Sequence, residues 1–191
     1  MGRQLRSAAI LLALLTVLTG VIYPLVVTGI AQVAFHHKSN GSLIESKDGK
    51  YVGSELIGQP FDDPGYFWGR PSATVSFSYN AAASSGSNYG PLNPALLDGI
   101  QKRIDALRAT DLDNTLPIPV DLVTYSASGL DPHISIAAAL YQVPRVARQR
   151  GLSQTQVLAE VNRFTQGRQF GILGEPRVNV LLLNQALDQM K

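Results

Sequence analysis

Residues 7–35 read SAAILLALLTVLTGVIYPLVVTGIAQVAF and contain no Lys, Arg, Asp or Glu. A helix that crosses a hydrocarbon core of about 30 Å needs about 20 apolar residues, so we predict a transmembrane helix over residues 8–34. The alternative is a cleaved signal peptide, whose apolar core of about 7 to 15 residues precedes a small-x-small site. Residues 29–31 (Gly-Ile-Ala) resemble such a site, and cleavage there would release a secreted binding protein.

The charges that flank this stretch predict its orientation. Arg3, Arg6 and the terminal amine precede it, and the first base after it is Lys38. Basic residues stay on the cytoplasmic side of a membrane. We therefore expect residues 1–7 in the cytoplasm and residues 35–191 outside, as a periplasmic or other extracytoplasmic domain.

One face of the predicted helix carries small residues. Ala9, Ala13, Thr16 and Gly20 follow spacings of four, three and four, which place them on a single stripe. Small side chains let a second helix approach closely inside lipid. The stripe therefore predicts a partner face, although such residues are also common in membrane helices by chance.

The rest of the chain has balanced charge. Of 16 Lys and Arg in the 191 residues, 14 remain beyond Arg6, against 14 Asp and Glu. This neutral remainder gives no support to nucleic-acid binding. The absence of cysteine excludes disulfides, thiolate metal sites and cysteine nucleophiles. Aspartates concentrate over residues 98–131 and arginines over residues 145–177, which indicates either a docking surface or ion pairs within the domain.

The sequence pattern over residues 35–191 predicts one mixed α+β domain. Asp48-Gly49 suits a two-residue type I′ turn in a hairpin over residues 42–57. Val120 to Tyr125 reads as a buried strand. Four helices are expected. The first is capped by Asn93 and has the inward residues Leu96, Leu97, Ile100, Ile104 and Leu107, and the second runs from Asp131-Pro132 to Gly151, is interrupted by Pro144 and has the inward residues Ile136, Leu140 and Val143. The third begins at Ser153, where Gln156 completes a capping box, with Val157, Leu158, Val161 and Phe164 inward, and the fourth runs from Asn179 to Met190 with Val180, Leu183 and Leu187 inward, unless Val178 to Leu183 form a strand.

The segment over residues 58–94 shows neither a helical nor a strand period. Its aromatic residues argue against disorder, because such side chains are usually buried or partnered. Its hydroxyl- and amide-rich part, Ser72 to Asn93, supplies oxygen atoms of the kind that hard cations prefer.

Three groups of residues suggest chemistry. Ser128, Asp131 and His133 could form a hydrolytic triad, although no G-x-S-x-G elbow surrounds the serine; alternatively, Asp131 starts a helix and His133 bonds its first turn. Ser153, Gln154 and Gln156 lie in LSQTQ, which resembles the ABC-ATPase signature LSGGQ without its glycines, and are candidate nucleotide contacts unless they only cap a helix. His36-His37 with Asp62-Asp63 is a poor metal pattern, so we expect no metal site.

Several ordered blocks resemble the C subunit of the bacterial Kdp potassium-transporting ATPase. They are residues 23–24 (YP), 28–32 (TGIAQ), 40–44 (NGSLI), 56–59 (LIGQ), 69–74 (GRPSAT), 85–88 (SGSN), 119–124 (PVDLVT), 128–135 (SGLDPHIS) and 174–181 (GEPRVNVL). The resemblance covers most of the chain, from about residue 20 to 187.

This resemblance implies a single-span, non-catalytic subunit of the bacterial inner membrane. Its partners would be a channel-like potassium-binding subunit and a P-type subunit that hydrolyses ATP, so ATP and potassium act at the level of the complex. It would be needed for assembly and activity, and would act as a catalytic chaperone that raises the ATP affinity of the P-type subunit. The alternative is a membrane-anchored hydrolase that uses Ser128, Asp131 and His133.

Overall fold

The structure is a computed structural model that describes residues 1–46 and 48–190. The chain divides into two compact units, Met1–Tyr51 and Val52–Lys191. In chain order the elements are α1 (Gly2–Val17), a π-helical turn (Leu18–Ile22), α2 (Tyr23–Ala34), α3 (His36–Ser39), β1 (Leu43–Glu45), β2 (Tyr51–Ser54), a 3-10 turn (Ala81–Ala83), α4 (Pro94–Thr110), a 3-10 turn (Val120–Leu122), β3 (His133–Ser135), α5 (Ile136–Arg150), α6 (Gln154–Arg163), β4 (Thr165–Gln166), β5 (Arg177–Asn179) and α7 (Val180–Asp188). The α+β class is confirmed.

The N-terminal helix runs without interruption from Gly2 to Ala34, and its 33 residues are long and apolar enough to cross a membrane. It begins before the predicted residue 8. A π turn lies just before Pro24, where the Tyr23 N–H donates to Leu18 O, five residues back. Proline lacks an N–H, and its ring collides with the carbonyl four residues earlier in an α-helix. The wider π turn accommodates that collision.

The hairpin predicted over residues 42–57 is confirmed as the two-stranded sheet of β1 and β2. The expected two-residue turn is wrong. Ser46 N donates to Lys50 O at 2.8 Å and Gly49 N donates to Ser46 O at 2.9 Å, so the turn begins at Ser46. Gly49 has φ +72°, as in the longer loops that end with a left-handed glycine; Lys47 lies outside the described residues.

The core of the second unit lies between helices α4 to α7 and a three-stranded antiparallel sheet ordered β3-β5-β4. Alternation along β5 places Val178 in the core opposite Ile134 of β3. Helix α6 begins with the predicted capping box, in which Ser153 and Gln156 exchange side-chain and backbone hydrogen bonds. The buried side chains are mostly branched aliphatic: Leu107, Leu122, Val123, Ile134, Val143, Val146, Val157, Val161, Val178, Val180, Leu183 and Leu187.

Two secondary-structure predictions in this unit are wrong. Residues 120–122 form a 3-10 turn and residues 123–125 belong to no strand, because Leu122 N and Thr124 N bond back to Pro119 O and Val120 O. The helix predicted to begin at Asp131-Pro132 begins at Ile136, after the short strand β3, with the Ser135 hydroxyl capping Ala138 N. The Asp121 carboxylate fixes this cap, since it accepts from both Ser135 N and Ser135 Oγ.

Other predictions need smaller corrections. Pro144 lies inside α5 and does not interrupt it, and Gly151 ends the helix in the left-handed region as expected. Of the strand predicted as an alternative over Val178 to Leu183, only Val178 and Asn179 belong to a strand, β5. The last helix begins at Val180. Three of the predicted inward leucines are at least one-third exposed: Leu97, Leu140 and Leu158.

Candidate functional site

The segment over residues 58–94 is held to the core by two buried amide side chains. Asn184 of α7 accepts from Phe67 N at 2.8 Å and donates to Phe67 O at 2.9 Å. Gln142 of α5 does the same for Trp68, at 2.9 and 3.2 Å. In a β-sheet, a neighbouring strand would form these hydrogen bonds to the backbone. Here two amide side chains form them instead, so a segment without regular secondary structure can lie in the core.

The guanidinium groups of two arginines lie close to the ring of Trp68. The guanidinium carbons of Arg103 and Arg145 are 4.8 and 4.9 Å from its ring centroid, within cation–π range. Arg145 is 1% exposed and donates to Pro64 O and to Gln142 Oε1. Burial lowers the pKa of Arg145 to about 10. These contacts confirm that Phe67 and Trp68 are ordered, as their aromatic character predicts.

The outer part of the segment is organised by hydroxyl groups. Ser72 Oγ donates to Gly129 O at 2.7 Å and accepts from Tyr79 N at 2.9 Å. Thr74 Oγ1 accepts from Asn80 N at 3.1 Å. Tyr79 donates to Arg70 O at 2.6 Å, and burial raises its pKa to about 12. The loop is therefore tied to its own backbone and to the chain around residue 129.

Not all of the oxygen-rich residues serve this scaffold. Ser76, Ser78 and Asn88 are exposed, and Ser76 and Asn88 have positive φ angles of 72° and 51°. Non-glycine residues in that region are uncommon. Phe77 is 63% exposed, so the predicted burial fails there. Tyr89 is 42% exposed but has an aromatic partner, since its ring lies edge-on at 6.4 Å from that of Tyr125. The segment thus presents both oxygen atoms and aromatic surface to solvent.

The proposed hydrolytic residues lie close in the chain but do not form a relay in the described part of the structure. Ser128 Oγ accepts from Leu130 N at 3.1 Å. Asp131 accepts from His133 N at 3.0 Å and from Arg70 Nη1 at 3.1 Å, while His133 Nδ1 is 3.6 Å from the same carboxylate. His133 belongs to β3 rather than to the first turn of a helix. The cluster is an ion pair with an adjacent histidine, beside a cleft of about 290 Å³.

The environment of Asp131 makes folding depend on pH. Burial raises the pKa of this carboxyl, but hydrogen bonds from His133 and from Arg70 outweigh burial and hold the pKa below its ordinary value. A depressed pKa stabilises the folded state above the unfolded value, and that stability is lost as the pH falls through the folded value. We therefore expect wild type to exceed Asp131→Asn in unfolding free energy at neutral pH, with the gap narrowing below about pH 4.

Denaturant unfolding between pH 3 and 7 tests this expectation. Asp98→Asn is the matched control, because Asp98 is an exposed aspartate on α4. A gap between wild type and Asp131→Asn that stays constant down to pH 3 would show that the ion pair does not stabilise the fold through its charge.

The three residues predicted as nucleotide contacts lie at the start of α6, and two of them cap this helix. Ser153 Oγ accepts from Gln156 N at 3.2 Å, and Gln156 Oε1 accepts from Ser153 N at 2.9 Å. Gln154 is exposed at the first position of α6. Nucleotide contact by these three residues remains a prediction. Among the described residues, no group of three His, Asp or Glu side chains is arranged to hold a metal ion.

One aspartate of residues 98–131 forms an ion pair with one arginine of residues 145–177, and the docking surface remains a prediction. Asp111 is buried and lies 2.5 Å from Arg148 Nη2. Asp188 lies 2.9 Å from Arg150 Nη1. The predicted partner face (Ala9, Ala13, Thr16 and Gly20) lies along α1 and the π turn, and its role remains a prediction.

Sequence reasoning missed the buried polar residues that position the segment: Gln142, Arg145 and Asn184. Gln142 and Arg145 lie three apart on α5, on the same face as Val146, and Asn184 follows Leu183 on α7. Polar residues on an otherwise apolar helical face were the available signal, since buried polar groups need partners.

Comparison with known proteins identifies close relatives. The family model described as "KdpC: K+-transporting ATPase, c chain" matches residues 5–189. The chain is 62% identical over 191 residues to the potassium-transporting ATPase KdpC subunit of Methylococcus capsulatus, covering all of both chains. It is 64% identical to the corresponding subunits of Dechloromonas aromatica, over 190 residues (100% of this chain and 99% of the relative), and of Herpetosiphon aurantiacus, over 186 residues (97% and 96%).

Proposed function

The chain belongs to the KdpC family, the c chains of K+-transporting ATPases, and on this premise we propose that it is a non-catalytic subunit of an ATP-driven potassium uptake complex. The family match over residues 5–189 carries the proposal. In this role the chain is needed for assembly and activity, beside a channel-like potassium-binding subunit and a P-type subunit that hydrolyses ATP.

The chain is anchored in the bacterial inner membrane by residues 8–34. The apolar helix Gly2–Ala34 and the basic pair Arg3 and Arg6 at its start support an N-terminus in the cytoplasm. Residues 35–191 then lie outside the membrane. Ala9, Ala13, Thr16 and Gly20 face a helix of a partner subunit, because small residues permit close packing in lipid.

The subunit raises the ATP affinity of the P-type subunit without sharing its nucleotide site. With the N-terminus inside, Ser153, Gln154 and Gln156 lie on the side opposite to ATP, and their capping role already accounts for Ser153 and Gln156. The effect on ATP is then a coupling between distant sites, which by linkage also makes ATP binding strengthen the attachment of this subunit.

The external domain sits over the potassium entrance. The exposed oxygen-bearing residues Ser76, Ser78 and Asn88 support this role, because hard cations prefer oxygen ligands. Replacing the three with alanine should lower the apparent potassium affinity of the complex. An unchanged potassium dependence would rule out the entrance role.

The hydrolase alternative has weaker support. The Ser128 hydroxyl bonds Leu130 N, and Asp131 is paired with Arg70 as well as with His133. In a hydrolase, His133→Ala would abolish turnover, whereas in a structural cluster it affects only stability.

A pull-down from detergent-solubilised membranes tests the main proposal. A C-terminally tagged chain should bring down a large channel-like protein and a P-type ATPase, with potassium-stimulated ATP hydrolysis in the eluate. Deleting the chain should abolish that activity in membranes. A tagged chain that purifies alone, with full activity in membranes that lack it, would refute the subunit assignment.

A further inference from the structure

The connection between β4 and β5 carries an exposed apolar tip, residues 168–175 (RQFGILGE). Phe170 is 91% exposed, Ile172 74% and Leu173 54%. Soluble surfaces commonly carry single exposed apolar residues, whereas three large ones within four positions mark an interaction site. The tip lies on the strand pair that ends in the core at Val178, so a rigid sheet presents it.

The conformation of the tip is fixed by its own backbone. Gln169 and Leu173 exchange two hydrogen bonds, both of 2.9 Å. Between them, Gly171 N donates to Arg168 O at 3.2 Å. Preorganised loops lose little conformational entropy on binding, which favours recognition of a defined protein pocket. Insertion into fluid lipid would need no such fixed shape.

Phe170 holds an unfavourable backbone conformation. Its φ is +53°, in the left-handed region where an L side chain costs roughly 1–2 kcal/mol. With 91% of the residue exposed, packing within this chain offsets little of that cost. An aromatic residue retained in this position is better explained by contact with another molecule.

The charges at the base of the tip neutralise one another. Arg168 Nη2 lies 2.7 Å from both carboxylate oxygens of Glu175. The tip as a whole therefore carries no net charge and offers no cluster of basic residues to anionic lipid headgroups. An uncharged apolar pocket complements this surface better than a charged membrane does.

We propose that the 168–175 tip docks into an uncharged apolar pocket on another subunit of the potassium-transporting complex, with Phe170 as its anchor. This inference rests on the proposed function, which supplies the partner. Buried aromatic anchors usually dominate the energy of such interfaces.

The test uses the full tagged chain in the solubilised complex, and follows the rate at which partner subunits are lost during extended washing. Phe170→Gly should raise that rate at least about tenfold, the effect of losing one aromatic anchor. The same variant should leave the thermal stability of the isolated chain equal or higher, because glycine relieves the positive φ. Phe170→Asn should also raise the rate of partner loss and leave the thermal stability equal or higher, since Asn tolerates the left-handed region as well.

Leu112→Ser is the matched control, because Leu112 is 84% exposed on the loop after α4, and it should leave the rate unchanged. If wild type retains its partners and Phe170→Gly retains them equally well, the docking tip is refuted while the subunit assignment stands. If wild type brings down no partner, both fail. Quenching of the indole of Phe170→Trp by brominated lipids in proteoliposomes would assign the tip to the membrane and overturn the proposal.

Discussion

Asn184→Leu should lower the free energy of unfolding by about 3 kcal/mol. The substitution leaves Phe67 N–H and Phe67 C=O without partners inside the core, where Asn184 now bonds both. Each unsatisfied buried group costs about 1–3 kcal/mol, and leucine regains only part of that through apolar burial. The corresponding fall in Tm is roughly 10 °C for a domain of this size.

Equilibrium denaturation of the detergent-purified chain measures this loss. Trp68, the single tryptophan, follows Phe67 directly, so its fluorescence reports the release of the segment. Asn162→Leu is the control, because Asn162 is an exposed asparagine of α6. Equal stability of the two variants would mean that the amide bridge contributes little to the fold.

Gly129→Ala should cost about 3 kcal/mol and displace the oxygen-rich segment. Gly129 has φ +69°, and an added Cβ would lie 2.7 Å from Ser85 O and 2.5 Å from a methyl of Thr74. Strain in the left-handed region costs about 1 kcal/mol, and forced displacement of a packed backbone adds roughly 1–3 kcal/mol. If the segment covers the potassium entrance, the displacement also weakens the apparent potassium affinity.

Thermal unfolding and potassium-stimulated ATPase activity measure the two consequences separately. Gly90→Ala is the control within the same segment, since an added Cβ there meets no atom within 4 Å and φ is not positive. If the Gly129→Ala complex is less stable but keeps its potassium dependence, the packing of the segment contributes to stability and not to potassium entry.

Local signals in the sequence predicted much of the fold. Asn93 with Pro94, the capping box at Ser153 and Gly151 each define a helix end through chemistry contained within a few residues. The start of α5 was missed because Asp131-Pro132 resembles a helix start, whereas the true cap, Ser135, is fixed by Asp121, which lies 14 residues earlier. Residues 120–125 were apolar enough for a strand, but they pair with no strand in the part of the chain that the structure describes.

The candidate site was less predictable for a related reason. The aromatic character of Phe67 and Trp68 indicated burial. The amide side chains that hydrogen-bond their backbone groups, however, lie 117 and 74 residues further along the chain. No local pattern connects such positions. The tip at Phe170 was equally hidden, since apolar residues in a sequence do not reveal which of them the fold leaves exposed.

The π turn at Leu18–Ile22 makes the membrane helix tolerant of a change in length. A π turn holds one residue more than the α-helical turn that it replaces, so deletion of one residue there would restore a regular helix instead of breaking it. Because the π turn absorbs that extra residue, the deletion would leave Gly2–Val17 at nearly its present rotation relative to Tyr23–Ala34. A chain shortened by one residue at this point would therefore still present Ala9, Ala13 and Thr16 to the same neighbour as the second half of the span requires.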